Sequence, residues 1–320
     1  MKRRIIILVS ILATTFISIE RAFSQADISL STHWYNRASY NPASIARTDY
    51  IYLFSNVRGQ WTNIDGAPKV LNVQASDYIH SLRSAFGLSL VSDQIGLTQT
   101  INPMFTYAFR ISNESDWSLS MGLSAGIFSR SVNGSLFSAV TDIDPLILYN
   151  IKTISSPDAN LGAEFQNKNF VIGLSTTHLF SISKPDNLFL NTNHRYGYLI
   201  YKNTNFEIFN YDVGLMAVNR NNLTVLEANG VIHFKRQNGL SNGLHEMLDL
   251  GMTYRTSKQM TLLFGINISP NFKVGYAYDQ SFVQGFSQNS TNEIILEYRI
   301  PSKAASICIQ CREEQNYWSH

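Results

Sequence analysis

Apolar side chains alternate with polar or small ones from Tyr50 to Ile300, in segments that short polar turns separate. A tilted membrane-spanning strand needs about 9–11 residues, and dyad alternation over such lengths is the sequence signature of transmembrane β-barrels. We expect strands at 49–58, 69–79, 83–92, 98–110, 116–128, 158–166, 168–178, 195–202, 205–218, 222–235, 246–256, 258–269, 271–280 and 291–300. The pattern predicts an all-β fold, a transmembrane antiparallel β-barrel of about 14 strands, an even number as in single-chain bacterial barrels.

The predicted strands near the end of the chain show the alternation most clearly. In 246–256, Leu250 and Tyr254 face one way while Asp249 and Arg255 face the other. A soluble β-sandwich also alternates, with its apolar faces forming a dry core. The apolar face here is large and often ends in an aromatic ring, which favours the bilayer interface, so we favour the barrel.

The facing of the first predicted strand stays open. Within 49–58, Tyr52 and Phe54 alternate with Ile51 and Leu53, which are equally apolar. Alternation therefore does not decide which of these pairs faces the lipid.

The connections between the predicted strands differ in length. In bacterial barrels short turns lie at the periplasmic end and longer loops at the external end. Long loops are expected at 129–157 and 179–194, but 236–245 is long where a short turn is expected. Either this connection is a periplasmic insertion, or the strand count slips there.

The chain begins with the features of a secretory signal peptide. Basic residues at 2–4 precede an apolar run at 5–19, and small residues at Ala22 and Ser24 allow a cut before Gln25. A membrane anchor is the alternative, but the run falls short of the roughly 20 apolar residues that a spanning helix needs. We expect residues 1–24 to be removed, 25–300 to form the barrel, and 301–320 to be a short periplasmic tail.

Composition narrows the possible partners. Charged residues make up 15% of the chain, below the roughly 25% of average proteins, and the formal net charge is only +2. A chain without a strong basic balance is a poor candidate for binding nucleic acid. We therefore expect outer-membrane lipid as a partner and no nucleic acid.

The sequence contains one match to a hydrolase motif. The run 122–126 reads Gly-Leu-Ser-Ala-Gly, which fits the G-x-S-x-G pattern around a nucleophilic serine. That elbow needs a strand, a sharp turn and a helix, whereas Ser124 lies in the middle of a predicted strand. Small residues facing a crowded lumen explain the motif better, so we expect no catalytic residue here. The histidines show no H-E-x-x-H spacing, and no P-loop or dinucleotide fingerprint occurs, so we also expect no cofactor site and no metal site.

The two cysteines, Cys308 and Cys311, form a single C-x-x-C in the tail. Two thiolates do not complete a four-thiolate zinc site within one chain, and a thioredoxin-like setting is absent. In an oxidising periplasm a local disulfide is the simplest interpretation, and metal binding, redox chemistry or pairing with a partner are the alternatives.

Several short motifs follow one another in order. They are Asn41-Pro42-Ala43, Arg58-Gly59-Gln60-Trp61, Asp65-Gly66-Ala67-Pro68, Asp93-Gln94-Ile95-Gly96, Gly173-Leu174-Ser175, Gly275-Tyr276-Ala277-Tyr278-Asp279 and Asn292-Glu293-Ile294. Each is weak alone, but the ordered set resembles the PorP/SprF family of outer-membrane proteins of the Bacteroidetes type IX secretion system. The resemblance covers nearly the whole chain after the leader.

The resemblance implies a non-enzymatic outer-membrane barrel of the secretion or gliding machinery. Its implied partners are periplasmic ring proteins and a peptidoglycan-binding lipoprotein, or a secreted surface protein. The chain departs from the family pattern at 236–245 and in the tail. A passive channel or hydrophobic-solute transporter is the alternative function, and a hydrolase using Ser124 is a third.

The residues at 58–68 can also be interpreted from their chemistry alone, without the family resemblance. Arg58 could point into the lumen and pair with Asp65 or Asp93, and Trp61 could lie at the membrane interface. Alternatively, these residues only shape the turn between two strands, to which Gly66 and Pro68 are suited.

Overall fold

The computed structural model describes residues 30–47, 50–61, 64, 66–113, 117–133, 151–181, 192–220, 223–237, 244–283 and 290–301. Its strands are β1 Tyr50–Gly59, β2 Lys69–Ile79, β3 Ser84–Ile95, β4 Thr98–Asn113, β5 Trp117–Asn133, β6 Ile151–Asn167, β7 Phe170–Thr177, β8 His194–Asn203, β9 Phe209–Arg220, β10 Leu223–Gln237, β11 Leu244–Arg255, β12 Gln259–Ser269, β13 Phe272–Ser281 and β14 Thr291–Pro301. Short 3-10 turns lie at Arg37–Ser39, Pro42–Arg47, His80–Leu82 and Leu179–Ser181. None of the helices in these ranges is long and apolar enough to cross a membrane.

The strands form one closed antiparallel barrel. Each strand pairs with the next along the chain, and β1 pairs with β14 from Tyr50↔Pro301 to Gly59↔Asn292. Closure matters because hydrocarbon offers no hydrogen bonds to an open strand edge. The predicted strand number and antiparallel order are confirmed.

Side chains on the two faces of the sheet differ as the alternation predicts. Leu250, Leu262 and Ile294 face outward and keep about half of their surface exposed, 43%, 50% and 51% respectively. Their neighbours Asp249 and Thr261 face the lumen and are fully buried. The exposed apolar residues form the surface that lies against lipid.

The structure settles the facing of β1. Ile51 and Leu53 point outward, whereas Tyr52 and Phe54 point into the lumen and pack with Ile295. The hydroxyl of Tyr52 also donates a hydrogen bond of 3.1 Å to Glu297. The polar tip of the tyrosine thus finds a partner inside the barrel.

The barrel has two distinct ends. We call the end where β1 begins and β14 finishes the base, and the opposite end the rim. Connections at the base are 80–83, 114–116, 168–169, 204–208, 238–243 and 270–271, and those at the rim are 60–68, 96–97, 134–150, 178–193, 221–222, 256–258 and 282–290. The strand count is correct across the long connection predicted at 236–245, because β10 and β11 are neighbours in the barrel. The bridging residues 238–243 lie outside the described residues.

The structure corrects the predicted loop at 129–157. β5 continues to Asn133 and β6 begins at Ile151, and the two strands pair along this whole length. Here Ser129 lies opposite Ser155, with their hydroxyl oxygens 3.0 Å apart. The alternation is lost here because Ser129, Ser131, Thr153 and Ser155 occupy outward positions that are apolar in the rest of these strands, although the backbone pairing continues.

Replacing Leu250 by arginine should destabilise the folded barrel by about 2–4 kcal/mol, since the residue lies near the middle of β11 on the lipid face. Leu250→Phe keeps the position apolar and is the matched control. Urea titrations of both variants in lipid vesicles measure the difference. Equal stability of the two variants would contradict the assigned facing.

Candidate functional site

The lumen of the barrel holds the segment 31–47, which precedes β1. We call it the plug. Its buried side chains include Trp34, Arg37, Asn41 and Ile45, and their contacts come from strands around the whole barrel. The plug starts near the rim at Ser31 and reaches the base at residue 47, just before β1.

At the rim end, Ser31 lies in a cluster of charged side chains. Arg58 on β1 contacts Asp279 on β13 and Glu293 on β14, each at 2.9 Å. The backbone N–H of Ser31 donates to Glu293 at 2.7 Å, and the hydroxyl of Ser31 bonds Asp279. Two carboxylates share one guanidinium there, and the plug supplies further hydrogen bonds that their burial requires.

A second anchor of the plug is Glu227 on β10. The indole N–H of Trp34 donates to this carboxylate at 2.5 Å, and His33 Nε2 lies 2.6 Å from the same oxygen. Arg255 on β11 contacts the other oxygen of Glu227 at 2.5 Å. The barrel wall and the plug therefore share one ionic network.

The middle of the plug carries a buried ion pair. Arg37 donates through Nε and Nη2 to the two oxygens of Glu164 on β6, at 2.9 and 3.4 Å. The hydroxyl of Tyr198 on β8 bonds the same carboxylate and also accepts a hydrogen bond of 2.8 Å from Asn41. Both oxygens of this buried carboxylate are thus bonded to the guanidinium, and loss of either partner of such a pair is strongly destabilising.

Glycines on the lumen face make room for the plug. A Cβ on Gly122 would lie 2.4 Å from the backbone of Pro42 and Ala43, and one on Gly162 would lie 2.0 Å from Asn41 Oδ1. A Cβ on Gly214 would meet the ring of Trp34 at 2.3 Å. Contacts this short would force neighbouring atoms to shift, so these positions match the shape of the plug.

The Asn41-Pro42-Ala43 motif shapes the turn that fits these glycines. Asn41 Oδ1 accepts a hydrogen bond of 3.0 Å from Ala43 N, and Pro42 begins the 3-10 turn. Proline suits this first position because the N–H it lacks would have no partner within the turn. Beyond the turn, Ile45 packs with Tyr78 at the base.

Three of the predicted motifs meet at the rim. Arg58 comes from the Arg-Gly-Gln-Trp motif, Asp279 from the Gly-Tyr-Ala-Tyr-Asp motif and Glu293 from the last motif. The three side chains meet in the charged cluster. The predicted lumen facing of Arg58 is confirmed. Its carboxylate partners are Asp279 and Glu293, where the sequence suggested Asp65 or Asp93.

The other motif residues shape the rim. Gln60 N donates to Pro68 O at 2.9 Å, and Gly96 N donates to Gly66 O at 2.8 Å, so the connections 60–68 and 96–97 touch. Trp61, Gly66 and Gly96 have positive φ angles.

The remaining motif residues lie on or next to the strands. Gly59 ends β1, Ala67 precedes β2, and Asp93 is buried on β3. On β13, Gly275 faces inward, Tyr276 faces outward, and Tyr278 is half-buried. Asp65, Cys308 and Cys311 lie outside the described residues.

The hydrolase-like run has a structural explanation. Gly122 accommodates the plug, and Ser124 Oγ lies 2.8 Å from Thr106 Oγ1 on the adjacent strand. Ser124 is buried in the middle of β5, without the turn and helix of a nucleophile elbow. The motif serves packing in the lumen.

Sequence reasoning missed the plug. The segment 25–48 was expected to be irregular, and its backbone is indeed mostly turns. A signal was present, because the inward faces of the strands carry charged residues such as Glu164, Glu227 and Glu293, and buried charges need partners. The short segment before β1 is rich in the polar and aromatic side chains that supply them.

Gly122→Ala should destabilise the docked plug by about 1–3 kcal/mol, the usual cost of an overpacked core, since the new Cβ meets backbone atoms. Gly230→Ala is the control, because nothing lies within 4 Å of its added Cβ. Limited proteolysis at the N-terminal segment and urea unfolding report the change. Equal protection in both variants would argue against tight docking on Gly122.

Comparisons with known proteins agree with this architecture. Solved structures that are similar include the TodX deltaS2S3 mutant monoaromatic hydrocarbon channel, with 9% identity over 83% of this chain and 94% of that chain and a TM-score of 0.50. The Ralstonia pickettii toluene transporter TbuX matches with 9% identity over 81% and 92% of the chains and a TM-score of 0.48. At 9% identity the likeness to the TodX mutant concerns the barrel fold alone. No curated protein matches the chain.

A family profile gives the more specific result. The profile described as type IX secretion system membrane protein PorP/SprF matches residues 22–298. The match includes the plug and almost the entire barrel, and it confirms the resemblance that the ordered motifs suggested. The protein lies in the outer membrane, and the chain belongs to the PorP/SprF family of type IX secretion system membrane proteins.

Proposed function

We propose that the protein is a non-enzymatic anchor or adaptor of the type IX secretion or gliding machinery. It would hold periplasmic ring components, with their peptidoglycan-binding lipoprotein, or a secreted surface protein at the outer membrane. The observation that carries this proposal is the plug, which fills the lumen through buried ion pairs. A barrel whose interior is occupied in this way acts through its ends.

The two ends suit different partners. The base holds the end of β14 and most of the short connections. In bacterial barrels short turns lie on the periplasmic side, so the base would face the periplasm. Ring components and the proposed tail at 301–320 would meet there. The rim, with its longer connections, would face a secreted surface protein.

The same observation weighs against the alternative of a passive channel. A solute would have to displace Arg37 from Glu164 and Trp34 from Glu227 to cross the lumen. Breaking a buried ion pair by removing one partner costs about 3–5 kcal/mol, so thermal motion rarely opens such a path. The proposed removal of residues 1–24 as a signal peptide is compatible with either function.

Export in a deletion strain tests the proposed function. Loss of the gene should reduce display of one or more type IX surface proteins, and the wild-type gene should restore it. Affinity purification from native outer membrane should then recover secretion components with the barrel. Unaltered display in the deletion strain would overturn the anchor role.

Planar-bilayer recordings test the channel alternative. The purified wild-type barrel should show no steady conductance, because the plug occupies the lumen. A variant in which Arg37→Ala and Trp34→Ala remove two plug anchors should conduct intermittently, while Leu250→Phe on the lipid face should behave like wild type. Steady conductance of the wild-type barrel would favour the hypothesis of a passive channel.

A further inference from the structure

A cluster of potential metal ligands lies in the wall of the lumen, apart from the plug anchors. His233 on β10 and Glu246 and Asp249 on β11 each offer an atom, and these atoms all lie within 4.8 Å of one another. His233 Nδ1 is 2.8 Å from Asp249 Oδ1 and 4.0 Å from Glu246 Oε2. Ligand atoms around a first-row metal ion are separated by about 3–3.5 Å, so small side-chain adjustments would bring the three around one ion.

Each of these three side chains is held by a partner behind it. Asp212 Oδ2 on β9 lies 3.6 Å from His233 Nε2, the ring nitrogen that faces away from Glu246 and Asp249. Asn210 Nδ2 donates to Glu246 Oε1 at 2.6 Å, and Lys273 Nζ lies 2.6 Å from Asp249 Oδ2. Metal-binding histidines commonly direct their second ring nitrogen to a carboxylate, and such supporting contacts orient the ligands.

An independent observation concerns Asn210. Its side chain is buried, with 7% of its surface exposed, and its Oδ1 accepts no hydrogen bond from the described part of the chain. Its Nδ2 donates to Glu246 Oε1 at 2.6 Å, so this buried side chain lies beside the cluster. A buried acceptor without a donor costs free energy, and a nearby cation would offset that cost.

We propose that His233, Glu246 and Asp249 bind one divalent transition-metal ion. The ligands would be His233 Nδ1, Glu246 Oε2 and Asp249 Oδ1, and the side chain of Asn210 lies beside Glu246. One imidazole with two carboxylates suits Mn²⁺ or Zn²⁺ better than a thiolate-seeking ion. The ion ties β10 to β11 in the wall beneath Tyr35 of the plug.

Tyr35 connects this site to the plug. A Cβ on Gly265 would lie 2.9 Å from Asp249 Oδ2 and 3.1 Å from the Tyr35 hydroxyl, so both groups lie around this glycine. Lys273 Nζ is 4.9 Å from the centre of the Tyr35 ring. The site thus lies directly against the plug, although it is independent of the proposed secretory role.

Binding of Mn²⁺ alone tests the proposal. The full chain is folded in detergent, treated with a chelator and titrated with Mn²⁺, and the electron paramagnetic resonance signal of free Mn²⁺ is measured. Mn²⁺ is the probe because thiolates such as Cys308 and Cys311 prefer softer ions. Wild type should bind one ion per chain, and His233→Gln or Glu246→Gln should weaken binding by about tenfold or more.

His194→Gln is the matched control, since His194 is a buried lumen histidine on β8, outside the cluster. It should bind Mn²⁺ like wild type. Folding of every variant is checked by the heat-dependent shift of the barrel on a gel. If His233→Gln fails to fold, Glu246→Gln near the base end of β11 decides the matter. Wild type that leaves all Mn²⁺ free, or cluster variants that bind as the control does, would overturn the proposal.

Discussion

Closure of the hydrogen-bond ladder between β1 and β14 is the constraint on which the rest of this structure depends. In hydrocarbon every backbone N–H and C=O must be paired within the protein, and only a closed barrel achieves this with strands. Pairing from Tyr50 to Gly59 with β14 leaves no open edge between the first and last strands. Closure also divides the side chains into two populations, one against lipid and one enclosed.

The enclosed population explains the plug. Strands whose outer residues must be apolar carry their polar residues inward, and Glu164, Glu227 and Glu293 are therefore buried. Buried charges need partners, and removing one partner of such a pair is strongly destabilising. Arg37, Trp34 and Ser31 of the plug supply part of this pairing. The polar interior and the segment that fills it are thus one structural unit.

Much of the fold could be predicted from the sequence, because alternation records the difference between lipid and lumen directly. It located all strands from β7 to β14 closely, and it failed at the start of β6, where polar residues such as Thr153 and Ser155 occupy the outward positions. It was also silent on β1, where Tyr52 and Phe54 are apolar residues inside the lumen. Their facing depends on neighbours such as Ile295 and Glu297, which are distant in sequence.

The candidate site was less predictable for the same reason. Arg58, Asp279 and Glu293 were each recognisable within a motif, but their meeting at one point depends on the closure of β1 against β14 and β13. The plug has no periodicity, so pattern analysis found only its Asn41-Pro42 turn. Glycines 122 and 162 fit that turn, yet in the sequence they look like ordinary small residues of a strand.

The position of the plug before β1 in the chain has a consequence for assembly. Residues 31–47 run down the axis of a cylinder that the last strand seals, and they continue directly into its first strand. After β1 has paired with β14, insertion of this segment would require threading it through the closed lumen. Closure of the sheet around a segment already in place avoids this step, so the residues that precede β1 would act as a template around which the strands assemble.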